Sequence, residues 1–130
     1  MVIKEHCEKW VIIPLEVTSR QIVQIDYLIP ANVLQCTGVT VSISGVNSFY
    51  LPTRLGEVSL SFNNRASQPV HLPANWIPYR KRIDQILYKL EEPIIKGTRV
   101  TGYFRNIVEF PYSVQICLQC VSVLKAISQT

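Results

Sequence analysis

Apolar residues recur at every second position in segment after segment of this chain, and that period limits the fold more than any motif does. Val23, Ile25, Tyr27 and Ile29 keep it, as do Val39, Val41 and Ile43 with Thr40, Ser42 and Ser44 between them. Val11 to Val17, Val58 to Phe62, Val100 to Phe104 and Val114 to Cys120 repeat the pattern. A period of two belongs to a strand with one face in a core. Composition agrees. Fifteen Ile and fifteen Val stand against four Ala and one Met, an excess of β-branched residues over helix formers that favours an all-β chain.

Turn chemistry separates the strands. Ile29-Pro30-Ala31-Asn32 predicts a hinge, with proline fixing φ and asparagine tolerating a left-handed backbone. The unit recurs as Leu72-Pro73-Ala74-Asn75 and predicts a second, matching corner. Pro14 marks its strand as an edge or a bulge. Between 83 and 90 two readings compete. Ile83, Ile86, Leu87 and Leu90 fit a helix at i, i+3, i+4 and i+7, while Ile86, Tyr88 and Leu90 alternate as a strand from about Gln85. The strand is favoured, because nothing else in the chain is helical. About eight short strands predict a two-sheet antiparallel β-sandwich with jelly-roll or Greek-key connectivity, with an up-and-down barrel as the alternative. The expected organisation is an N-terminal arm over 1–9, the sandwich over 10–123 and a tail over 124–130.

Charged residues make up 17% of the chain, against about 25% in an average soluble domain. With a positive mean hydropathy of +0.18, this predicts a surface partly covered by neighbouring subunits. The net charge of +4 is scattered, which argues against a nucleic-acid partner. No signal peptide or apolar membrane-spanning run is visible. Synthesis in a reducing cytoplasm and four free thiols are expected.

Candidate chemistry is sparse. Cys117-Leu118-Gln119-Cys120 has metal-like spacing, but an i, i+3 pair within a strand points to opposite faces, and Cys7 and Cys36 offer no second pair at zinc spacing. His6 and His71 are expected to be structural, and a small enzyme with His71 as base is the weakest reading. Neither a cofactor nor a metal is expected. The aromatic loop around Phe49 and Tyr50, and the stretch from Trp76 through Tyr79 to Arg80-Lys81-Arg82, carry the residue types that anchor interfaces. These seven are the predicted interface residues. Such aromatics also stack on sugars, which leaves a carbohydrate-binding module as the alternative function.

Two stretches carry a family likeness. The alternating strand ending in Ile29-Pro30-Ala31-Asn32 is one. The other is Pro93-Ile94-Ile95-Lys96-Gly97-Thr98-Arg99-Val100-Thr101-Gly102, followed after Pro111 by the strand from Tyr112 to Val121. In pattern the chain resembles small β-sandwich structural proteins of tailed bacteriophage particles. That resemblance implies a non-enzymatic virion component, a capsid auxiliary or decoration protein or a connector-region protein, acting as an oligomer with other protein subunits.

Overall fold

Ten strands form in the computed structural model, which describes residues 2–3, 6–46, 53–62, 69–77, 87–123 and 127–128. They are β1 (Val2–Ile3), β2 (His6–Val17), β3 (Ile22–Leu28), β4 (Val33–Ser44), β5 (Thr53–Phe62), β6 (Val70–Trp76), β7 (Tyr88–Pro93), β8 (Arg99–Asn106), β9 (Tyr112–Val123) and β10 (Ile127–Ser128). Eight of them make two four-stranded antiparallel sheets, ordered β2-β9-β4-β7 and β3-β8-β5-β6. The pairs are nested: β1 with β10, β2 with β9, β3 with β8, β4 with β7, β5 with β6. One long hairpin is thus folded on itself until β9 meets β4 and β8 meets β5. This is jelly-roll connectivity. The two sheets stay separate, so the barrel reading is set aside.

The alternating residues fill the space between the sheets. Val11, Ile13, Val39, Val114, Ile116 and Leu118 face inward from one sheet; Ile25, Val58, Leu60, Phe62, Val100 and Phe104 face them from the other. Tyr112 crosses the gap, its hydroxyl donating to the Leu55 carbonyl at 2.7 Å and its ring standing edge-on to Phe104. Burial pushes its pKa up. Gly102 sits in the core row opposite Leu60 with φ of 146°, and a Cβ there would lie 1.8 Å from the Ser59 carbonyl oxygen. Only glycine allows β5 and β8 to approach so closely.

The hinge at Ile29 to Asn32 forms as expected, carrying the chain from one sheet to the other. Val33 N donates to the Pro30 carbonyl at 3.2 Å, and Val123 N to that of Asn32 at 2.9 Å. Proline therefore occupies the first position of the turn and does not set its central dihedral angles. Nor is asparagine left-handed: among the described residues the one non-glycine with positive φ is Arg20, at 52°. It lies in the Thr18–Gln21 turn between β2 and β3, where Gln21 Oε1 accepts bonds from the Thr18 amide and hydroxyl. Buried Asn106 pins that corner, its amide donating to the Thr18 and Phe110 carbonyls.

The second unit corrects the sequence reading. Leu72-Pro73-Ala74-Asn75 is no corner; it lies wholly within β6, paired with β5 from Val70 to Trp76. β6 is the edge of its sheet, and an edge tolerates a residue that lacks an N–H. Pro14 likewise sits on edge strand β2. In the ambiguous stretch a strand does form, over Tyr88–Pro93, slightly later than expected; residues 83–86 lie outside the described residues. Strand β2 begins at His6, ahead of the expected Trp10, because β9 offers ladder partners as far as Val123. Both ends of the chain enter a short ladder, β1 with β10.

Candidate functional site

Six of the seven predicted interface residues, Phe49, Tyr50, Tyr79, Arg80, Lys81 and Arg82, lie outside the described residues. Trp76 ends β6 opposite Thr53 and is half-buried against the core of its own sandwich. Two other surfaces emerge from the fold.

The first is a polar hollow on the outer face of the β3-β8-β5-β6 sheet. Register sets Gln24, Tyr103, Ser59 and His71 in one row across all four strands. A depression opens there between the side chains of Tyr103 and His71. Arg54, Glu57 and Pro73 help to enclose its volume of about 210 Å³. The Glu57 carboxylate accepts from Arg54 at 3.0 Å and from Arg105 at 3.5 Å. Exposed pairs of this kind add little to stability. Their chemical effect is to present guanidinium donors, a carboxylate acceptor, an imidazole and a phenol around one small cavity. A wider depression of about 420 Å³ lies among Gln35, Thr37, Lys89, Leu90 and Glu91 on the other sheet.

The second is the end of the sandwich beside the hinge, where three exposed apolar side chains come from three segments. Leu28 is 52% exposed, Leu34 39% and Ile95 70%. The backbone around them is tightly tied. Ile29 N donates to the Thr98 carbonyl at 3.0 Å and Ile94 N to that of Leu34 at 2.8 Å. The turn carrying Ile95 is closed by the buried Thr98, whose hydroxyl donates to the Ile95 carbonyl at 2.8 Å and accepts from the Ile95 amide. Beside Leu28, Arg99 donates to Asp26 at 2.7 Å, and this hydrogen bond holds the guanidinium pKa up. Three large apolar side chains therefore stand in water on a backbone with little freedom to hide them.

The cysteines divide as the strand period requires. Cys120 is buried on the inner face, while Cys117 stands half-buried on the outer face, where burial pushes its thiol up. Among the described residues no group of three or more His, Cys, Asp or Glu could hold a metal ion. Among the described residues no helix is long and apolar enough to cross a membrane.

Sequence reasoning missed the apolar end, although a signal for it exists. Tyr27-Leu28-Ile29 and Ile94-Ile95 put apolar residues next to one another, and in an extended chain neighbours point opposite ways. One of them must face outward. The hollow has no such signal, because its residues come from strands far apart in sequence.

Fold and surfaces together define a class: a small eight-stranded jelly roll with an apolar end and a polar hollow on one sheet face. Comparisons with protein-family models, curated proteins and solved structures found no match to this chain.

Proposed function

We propose that this chain is a non-enzymatic structural protein that binds other protein subunits, as a capsid-associated or connector component of a tailed-phage type of virion. Jelly rolls serve as capsid subunits and as lectins alike, so the choice between them rests on the surface. The observation that carries it is the apolar end, where Leu28, Leu34 and Ile95 are exposed on a hydrogen-bonded backbone. Burying exposed apolar area against a partner is favourable by roughly 25 cal/mol per Å². A backbone already held in place loses little entropy on docking. Oligomers of this chain, or contacts with a particle's major protein, follow from that surface.

The test is the assembly state of purified protein by sedimentation and native mass spectrometry, with a Leu34→Asp/Ile95→Asp variant beside it. The wild type is expected to form oligomers or to bind assembled particles, and the variant to lose that binding while keeping its fold. A wild type that stays monomeric at high concentration and ignores particles defeats the proposal.

The hollow favours a second reading, a carbohydrate-binding module. Tyr103 supplies a ring face for a sugar, and Arg54, Glu57 and His71 supply donors and acceptors for its hydroxyls. A glycan array decides this. Specific binding that vanishes in Tyr103→Ala supports the module, and a blank array removes it.

A further inference from the structure

One row of the β2-β9-β4-β7 sheet has an unusual make-up. Lys9 pairs with Cys120, Cys120 with Cys36, and Cys36 with Glu92, so the four side chains cross the whole sheet on its inner face. Both cysteines are fully buried. We propose that Cys36 and Cys120 form an oxidisable dithiol that closes to a cross-strand disulfide joining β4 to β9 inside the sandwich.

Geometry carries the proposal. Directly opposed residues of an antiparallel ladder have Cα atoms about 4.5 or 5.5 Å apart, and disulfides span about 4.4 to 6.8 Å. The register of β4 against β9 shifts on both sides of Cys36, between Val33 and Gln35 and between Cys36 and Gly38. Such irregularities twist the strand locally and let the sulfurs turn toward one another with the rest of the ladder intact. The Cys36 thiol also reaches the Gly38 carbonyl at 3.5 Å.

The electrostatics divide the roles. A hydrogen bond from the Cys36 thiol, helped by the charge of Lys9, draws the Cys120 thiol below its ordinary range. The same bond, together with burial, pushes Cys36 up. Along the row Lys9 faces Cys120 and Glu92 faces Cys36, which places the attacking thiolate at Cys120 and the resolving thiol at Cys36.

A buried pair needs a small oxidant, and hydrogen peroxide is little larger than water. The Cys120 thiolate attacks one peroxide oxygen, the O–O bond breaks, and the released hydroxide takes up a proton to leave as water. Cys120 is then a sulfenic acid. Cys36, losing its proton, attacks the Cys120 sulfur and expels the hydroxyl group as a second water. Two thiols are oxidised to one disulfide while one peroxide is reduced to two waters. In a reducing cytosol the pair stays open; outside it the closed form persists. The inference is independent of the subunit-binding proposal.

The full-length protein, native and at stoichiometric hydrogen peroxide, is analysed by intact mass and by non-reducing peptide mapping. The expected result is a loss of two hydrogens, a bridge mapped to Cys36 and Cys120, and Cys7 and Cys117 still open to alkylation. Closing a loop that runs from β4 to β9 also raises the thermal midpoint, and dithiothreitol reverses the rise. A Cys7→Ser/Cys117→Ser variant, which leaves the inner pair untouched, is expected to lose the same two hydrogens. An unchanged mass, a gain of oxygen alone, or a bridge to Cys7, to Cys117 or between molecules overturns the proposal.

Discussion

Ile29-Pro30-Ala31-Asn32 and Leu72-Pro73-Ala74-Asn75 are nearly the same four residues, yet one turns a corner between sheets and the other runs straight through edge strand β6. The difference lies in what is offered to the backbone. Past Ile29, the chain leaves the ladder with β8 and crosses to the other sheet, so the turn closes on itself and on Val123. Past Leu72, β5 continues to supply partners, with Pro73 opposite Glu57 and Ala74 opposite Gly56. Proline permits both outcomes, since it suits a turn and is tolerated at a sheet edge. Local chemistry allows the corner; available ladder partners decide it.

The contrast predicts that matched substitutions in the two units behave differently. The largest gap is expected at the first position. Ile29 is fully buried, and Ile29→Ala removes core contacts at a cost of about 3 kcal/mol. Leu72 is only partly buried, and Leu72→Ala costs about 1 kcal/mol because part of the lost surface already meets water. At roughly 3 °C per kcal/mol for a domain of this size, thermal melts separate the two. Equal losses would mean that the two positions have equivalent surroundings after all.

The third position reverses the order of the two units. Ala74 is buried opposite Gly56, where even an added Cβ would lie 2.6 Å from the Phe104 ring. Ala74→Leu overpacks this site at a cost of about 2 kcal/mol. Ala31 is exposed in the turn, and Ala31→Leu is expected to stay within about 0.5 kcal/mol of wild type. Denaturant midpoints read both. A tolerated Ala74→Leu would show that β6 can lift away from β5.

How much of this was legible in the sequence follows from the same contrast. Strand faces were readable because a period of two needs no partner to be seen: Val58, Leu60 and Phe62 point inward as their spacing requires. The jelly-roll class followed from strand number and punctuation. Pairing was not readable, because it depends on residues far away in the chain. Cys36 looked isolated until β4 and β9 aligned it with Cys120, past two register shifts that no local pattern announces. Ser59 alternates with the inward-facing Val58 and Leu60 and so belongs to the outer face, yet it is buried. Leu28 and Ile95 were hidden among apolar neighbours that do face the core, Ile29 and Ile94.

The prolines give the smallest change in stability and the sharpest qualitative difference. Pro30 stiffens the turn, so Pro30→Ala is expected to cost about 0.7 kcal/mol through a freer unfolded chain, with no change in association. Pro73 is exposed on the free edge of β6. A strand edge with its donors intact is a template for pairing with another chain, and proline blunts it. Pro73→Thr restores a donor and a β-branched side chain at that edge. The folded monomer is expected to melt within about 0.5 kcal/mol of wild type. Sedimentation is expected to show a concentration-dependent shift to larger species, and this shift should persist in a Leu34→Asp/Ile95→Asp background, because neither residue lies on β6. Loss of the shift in that background would tie edge pairing to the apolar end, and an unaltered sedimentation profile for Pro73→Thr alone would show that β6 is guarded by something other than its proline.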